Sequence, residues 1–286
     1  MANIIIGYHN RVDAATLSGG AWSATLPQIN LQNRIISKVA RTTTDAIASA
    51  TINVDLGAAY PIGAVALIAH NISTSGLVRI RGDDANDFAT PLYNSGWIEV
   101  WTNGIIPEAL LEWEDDNFWL GTLSAEVRAG YRVPYINLDS AKTTARYWRI
   151  EVDDTSNVDT YIQIGRLFMS DFWQPTRNYN YGAQMQFDDP TSIATSVGGQ
   201  DYFDARSRYR IHRIRLEFVS ETDAYAEALE LQRIVGVSGE VLIVPDSADT
   251  TNGALRNFVG RLRSLSPITI SPTNLFALDL EVKELL

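Results

Sequence analysis

Residues 51–81 carry the clearest pattern in the chain. Ile52, Val54 and Leu56 alternate with Thr51, Asn53 and Asp55, the period of two that puts one face of a strand in a core and the other in water. Gly57 and Pro61 then punctuate the chain and predict a tight turn. Residues 65–69 form a short continuous apolar run, which predicts a strand covered on both faces. Val78 and Ile80 alternate with Arg79 and Arg81 as the chain returns in a half-buried strand. From Trp22 to Phe172 short strands and turn residues continue with almost no helical period, which predicts a β-sandwich or jelly roll.

The pattern changes further on. Residues 173–200 are polar, with prolines and glycines and no long periodic run, and read as a connection between domains. Ile214, Leu216 and Phe218 alternate with Arg213, Arg215 and Glu217 in a strand. Ser220 stands three residues before Asp223, the spacing of a capping box that opens a helix. Ala224, Ala228, Leu231 and Val235 recur at helical intervals, and Gly236 is placed to stop the helix. Residues 240–244 read as a strand, and Phe276, Leu278, Leu280 and Val282 alternate with polar neighbours in a last one. The expected fold class is mainly β. Its divisions are a lead at 1–20, a jelly-roll sandwich at 21–172, a linker at 173–200, and a small β-barrel with one α-helix at 201–286.

A chain of 286 residues has room for two such cores. With 34 acidic against 23 basic residues its formal charge is −11, which argues against nucleic acid or an anionic membrane as the main partner. There is no cysteine, so disulfides, thiolate zinc sites and cysteine nucleophiles are excluded. Residues 4–6 are the only apolar run near the start, and no window approaches the roughly 18 apolar residues of a membrane helix. A protein made in the cytoplasm, without membrane insertion, is expected.

His9, His70 and His212 are isolated, with no second ligand at metal spacing, so no metal or other cofactor is expected. No serine sits in a nucleophile elbow and no glycine-rich turn opens a helix in phosphate-cradling order, so no enzyme is expected. The functional candidates are loops. Trp113, Phe118 and Trp119 lie among Glu112, Glu114, Asp115, Asp116 and Asn117, offering flat apolar faces beside hydrogen-bond acceptors, the combination that holds a sugar. Three readings stand for these rings: a glycan contact, a subunit contact, or packing back onto the domain. Asp83, Asp84, Asn86, His70 and Asn71 join them as candidate carbohydrate contacts. Arg206, Arg208, Arg210, Arg213 and Arg215 form a cationic run in an acidic chain and are expected to meet carboxylates of a neighbouring subunit.

Two resemblances go further. A strand ending in Asp55-Leu56-Gly57, an apolar strand before His70-Asn71, then Tyr93, Ser95, Gly96 and Trp97, and Ala145-Arg146-Tyr147-Trp148-Arg149-Ile150-Glu151-Val152 with a closing strand at 162–167, resembles the discoidin-like, galactose-binding-like domains over roughly residues 20–172. The resemblance implies a sandwich that binds a glycan or another surface ligand through loops at one end. Beyond it, the arginine-rich strand, the helix start at Ser220, the stretch from Gly239 to Asp246, Gly260-Arg261-Leu262 and the acidic terminal strand look like the ring-forming barrel of tailed-phage distal tail proteins, with the order of the two domains reversed. That implies a virion protein at the tail tip or baseplate. Its partners would be tail tube, tail hub and tail fibre proteins, further copies in a ring, and a bacterial surface glycan. A free carbohydrate-binding module is the alternative.

Overall fold

The computed structural model describes residues 2–130, 132–249, 251–270 and 275–286. β1 (Ile5–Tyr8) opens the chain. The first unit then comprises β2 (Thr16–Ser18), β3 (Ala40–Arg41), β4 (Thr51–Ile68), β5 (Leu77–Asp83), β6 (Tyr93–Glu99), β7 (Tyr135–Asp153), β8 (Gln163–Ile164) and β9 (Arg166–Ser170). Its main sheet runs β2-β4-β7-β5-β6, and β9 pairs with the second half of β4.

β4 and β7 form one long antiparallel pair whose register breaks between Asp55 and Tyr60 and between Ile62 and Ala64. The turn expected at Gly57 and Pro61 is therefore a bulge within a continuous strand. Gly57 takes a φ of +77°, and Asp55 Oδ1 accepts its N–H at 2.8 Å. A bulge bends a strand without ending it, and here both halves turn onto one core. Ile52 and Val54 from the first half meet Val65 and Leu67 from the second, together with Trp148, Ile150 and Val152 of β7. Residues 69–76, 100–124 and 154–162 leave the sandwich at one end, where Leu77 stands opposite both Glu99 and Asp153. Residues 84–92 and the bulges lie at the other, where Gly82 pairs with Tyr93 and Asp83 with Tyr147.

The second unit holds β10 (Phe172–Trp173), β11 (Gln184–Asp188), β12 (Ser192–Thr195), β13 (Asp201–Asp204), β14 (Tyr209–Val219), β15 (Val241–Val244), β16 (Phe258–Leu262), β17 (Thr269–Ile270) and β18 (Phe276–Glu284). Its large sheet runs β10-β1-β15-β16-β18-β14-β11, antiparallel throughout, with β17 on β18. The stretch read as a lead thus supplies an inner strand of this sheet. The stretch read as a linker supplies Trp173 of β10, β11 and β12. The physical reason is visible in residues 4–6: a continuous apolar run is what a strand buried on both faces requires.

The expected helix is present. Ser220 Oγ accepts the Asp223 N–H at 3.1 Å and the Ser220 carbonyl that of Ala224 at 2.9 Å. A π-helical stretch at Asp223–Ala228 runs into an α-helix at Leu229–Val235. Ala224, Ala228, Leu231 and Val235 pack on the sheet, and Gly236, at φ +54°, closes the helix with its N–H on the Gln232 carbonyl. Phe218 departs from the expected alternation. A bulge between Leu216 and Val219 turns it outward at φ +59° and gives Val219 its place in the core.

Buried apolar side chains fall into three clusters, and the third joins the units. Ile4 and Ile6 enter the core of the second unit while Ile5 faces Ala64, Ala66, Ile68 and Phe168 of the first. Val241 and Ile243 divide from Leu242 and Val244 in the same way. Beside this layer sits Arg166, fully buried. Its Nε and Nη2 donate to the Glu240 carboxylate at 2.7–3.1 Å, Nη1 donates to the Leu31 carbonyl at 3.2 Å, and Nη2 also meets Asp13. Asn10 completes the junction, donating to the Leu167 carbonyl and accepting the Met169 N–H, both at 3.0 Å. Removing one partner of such a pair strands a charge away from water. Glu240→Ala is expected to destabilise the protein by about 3–5 kcal/mol, whereas Glu281→Ala, at the exposed Arg213 and Arg263 pairs, is expected to cost under about 1 kcal/mol. Urea unfolding of both variants measures the difference.

Candidate functional site

The end of the sandwich that carries residues 69–76, 100–124 and 154–162 is built around Trp101. Its indole N–H donates to the Ile72 carbonyl at 2.9 Å, and its ring lies 5.7 Å from that of His70 and 5.6 Å from the Arg128 guanidinium. The polar residues here tie loop to loop. Asp154 accepts from the Ser73 N–H at 2.8 Å and from Asn157 at 2.7 Å. Asn71 donates to Asp159 at 2.9 Å and to the Tyr161 carbonyl at 3.1 Å, and accepts the Gln163 N–H at 2.7 Å. With its amide committed on both sides, Asn71 is a brace for the neighbouring loops. His70 Nδ1 accepts the Ile72 N–H at 3.3 Å, so the ring proton resides on Nε2.

From this base the loop at 102–124 reaches outward and is held by its own hydrogen bonds. The Gly104 N–H donates to the Leu120 carbonyl and the Ile106 N–H to the Gly121 carbonyl, both at 2.9 Å. Gly121 takes φ +59°, and a Cβ there would stand 2.7 Å from the Ile106 carbonyl oxygen, so glycine alone permits the crossing. Half of the acidic run serves construction. Asp115 accepts the Glu112 N–H at 2.8 Å, Asp116 accepts the Ala125 N–H at 2.9 Å, and buried Asn117 donates to the Thr122 carbonyl. Glu112 and Glu114 stay exposed.

The rings stand outside this scaffold. Trp113 is 73% exposed and Trp119 86%, with Leu110 exposed beside them in sequence. Phe118 is half-buried and meets Trp119 edge-on at 5.2 Å. The reading in which these tryptophans pack back onto the domain is overturned, because the loop closes through backbone contacts and Asn117 and leaves both indoles free. An exposed aromatic face beside unpaired carboxylates can stack on a sugar's C–H face while accepting from its hydroxyls, or can anchor a protein partner.

The other sequence candidates lie elsewhere. Asp83, Asp84 and Asn86 sit at the opposite end of the sandwich. Asp83 is buried and caps its own turn, accepting the Asp84 N–H at 2.8 Å, while Asp84 accepts the Arg146 N–H at 3.2 Å. They do not converge with His70, Asn71 or the tryptophan loop. Each arginine of the cationic run meets a carboxylate of its own chain: Arg206 with Asp204, Arg208 with Asp189, Arg213 with Glu281, Arg215 with Glu217, and buried Arg210 with Glu284. The antiparallel register of β14 and β18 sets Arg213 opposite Glu281 and Arg215 opposite Asp279, a pairing across strands that no linear spacing reveals. Among the described residues no group of histidines and carboxylates is arranged to hold a metal ion, and no helix is long and apolar enough to cross a membrane.

No protein-family model matches the sequence, and no curated protein matches it. Among solved structures the chain is similar to CBM32-1 from a family 31 glycoside hydrolase from Clostridium perfringens, at 11% identity and a TM-score of 0.38, over 57% of this chain and 99% of that one. It is similar to the lectin binding domain of Lectinolysin complexed with Lewis b, at 14% identity and a TM-score of 0.38, over 58% of this chain and 97% of that one. A third is the family 32 CBM from C. perfringens NanJ in complex with galactose, at 13% identity and a TM-score of 0.38, over 58% and 99%.

The histidines give this scaffold a pH dependence. Burial pushes His70 down to about 4; it does the same to His212, where Arg256 adds to the effect. Between their ordinary value of 6.5 and about 4 the unfolded chain binds protons that the folded rings refuse, so stability falls as pH drops through that window. At about 1.4 kcal/mol per unit the share of buried His212 reaches roughly 3 kcal/mol at the lower end. Urea unfolding at mildly acidic and neutral pH is expected to show a loss for the wild type that is smaller in His212→Leu.

Proposed function

We propose that this chain is a non-enzymatic structural protein of a phage tail tip or baseplate, whose sandwich presents the 102–124 loop to a host-surface glycan and whose second unit serves assembly with tail proteins and further copies in a ring. The observation that carries the contact reading is the pair of exposed indoles, Trp113 and Trp119, on a loop braced by its own hydrogen bonds and bordered by Glu112 and Glu114. A preformed loop loses little conformational freedom on binding, so the area it buries is converted into affinity with less entropic loss. The assembly reading draws on the sharing of one apolar layer between the units. A rigid body with a recognition loop at one end suits a part that holds position in a larger structure. The free carbohydrate-binding module remains the second reading, favoured by the same loop and needing no second unit.

Trp113→Ala and Trp119→Ala are each expected to weaken binding to the cognate glycan or host cell by about 1–3 kcal/mol while changing stability by less than about 0.5 kcal/mol, as for other surface substitutions. Glycan-array or cell-adsorption assays run beside thermal melts check both. Undiminished binding in both variants would remove the glycan reading, and absence of the protein from purified virions would remove the tail reading.

A further inference from the structure

A cleft opens between the two units beside the bulges of β4. Its cavity, about 330 Å³, is lined by Leu56 and Tyr60 of the first unit, Ile234 of the second unit's helix, and Arg11 and Arg34. Tyr60 stands where the β4 register resumes after its break at Asp55, and a bulge commonly re-aims a side chain in this way. The cleft meets solvent, since His9 on its lining is exposed and the Arg34 side chain is 56% exposed. Sites for small molecules favour such places: crevices between domains, from roughly 300 Å³ upward, with apolar walls and a few polar groups.

The cleft holds more positive charge than its carboxylates balance. Asp13 and Glu240 both meet the buried Arg166. Arg34 reaches Asp13 and the Ser238 carbonyl only at 3.4 Å. Arg11 meets no carboxylate among the described residues: its guanidinium lies over the Tyr60 ring at 4.4 Å, and Nη1 donates to His9 Nε2 at 3.3 Å. A guanidinium has no lone pair to offer, so the nitrogen facing Arg11 is the bare acceptor of a neutral imidazole. His9 takes φ +63°, a left-handed conformation uncommon outside glycine. Partial desolvation, Arg11 and Arg233 hold its ring below the ordinary value of 6.5, against the opposite pull of Asp13 and Glu230. Arg233 and Glu230 pair with each other on the helix.

We propose that this cleft binds a small organic oxyanion, a carboxylate or phosphate carried on a sugar-sized ring, with Arg11 and a protonated His9 on the anion and Tyr60 and Ile234 along the ring. The anion replaces the His9 lone pair as the acceptor for Arg11. The imidazole takes a proton from solvent on Nε2 and donates it to the same anion, and Arg34 adds its charge from the rim. Hydrogen bonds between ionised partners are about twice as strong as neutral ones. Because the bound state favours the protonated ring, affinity rises as pH falls through the range in which His9 titrates. The site shares no residue with the tryptophan loop and does not depend on the glycan contact proposed there.

Calorimetric titration of the full chain with glucuronic acid, glucose-6-phosphate, inorganic phosphate and glucose tests it, beside NMR titration of the imidazole C–H signals. His70 and His212 are held down to about 4, so the signal that titrates nearest neutrality belongs to His9, which its loss in His9→Gln checks. At least one of the two sugar acids is expected to bind, the one preferred identifying the oxyanion, and glucose is not. Saturation is expected to raise the midpoint of the His9 signal. Arg11→Gln is expected to weaken binding by about tenfold or more, and Arg11→Lys by less. His9→Gln is expected to keep the binding seen at mildly alkaline pH and lose the gain in acid. Circular dichroism checks that the variants fold. Inorganic phosphate binding as tightly as the preferred sugar acid would overturn the role of the apolar walls. Failure of both sugar acids to bind at mildly acidic pH, or binding that survives Arg11→Gln and leaves the His9 signal unmoved, would overturn the site while leaving the tryptophan loop untouched.

Discussion

A buried guanidinium sets the arrangement of everything else in this protein. Arg166 stands at the start of β9 in the first unit, and its charge is met by Glu240 just before β15 of the second and by Asp13 in the turn that follows β1. Withdrawing an ion from water costs several kcal/mol, and mutual attraction offsets this only when geometry and the remaining hydrogen bonds are good. Here the Leu31 carbonyl accepts one Nη1 proton, and Asn10 binds the backbone on both sides of Phe168. A slip of one residue in β9 or in the approach to β15 would separate the charges. The pair therefore specifies how the units dock, while the energy of docking comes from the apolar layer beside it.

That layer explains why the chain cannot be cut where its composition changes. β1, β4, β9 and β15 each send alternate side chains into two different cores, as Ile5 parts from Ile4 and Ile6, and Phe168 from Leu167 and Met169. A strand buried on both faces loses its polar-apolar alternation and becomes a plain apolar run. The units thus share a double-sided interior, with the N-terminal strand of the chain built into the C-terminal sheet.

The local features were legible because their causes are local. The alternation at 51–56, the capping residue Ser220, the helical spacing from Ala224 to Val235 and the stop at Gly236 all depend on neighbours within a few positions, and the structure has them where the pattern puts them. What was not legible depended on distant partners. Nothing near residues 4–6 announces β15 as their neighbour, and nothing near Arg210 announces Glu284. The tryptophan loop was legible as an unusual composition only. Whether its rings turn in or out is decided by Asn117 and by the backbone crossing at Gly121, and such contacts have no period to detect.

The same reasoning separates the two exposed surfaces of the molecule. Trp113 and Trp119 extend from a loop whose backbone is satisfied internally and whose base is anchored through Trp101, so the loop keeps its shape with its rings in water. β12 and β13 have half their strand edges unpaired and no side chain in any core. A ligand that offers only a small face can serve the first surface, since a stacking contact needs one ring face and a few acceptors. The second exposes apolar side chains on both faces of a hairpin, an area wider than one ring face. One end of the sandwich thus carries exposed rings on a braced loop, and the second unit carries a hairpin bare on both faces.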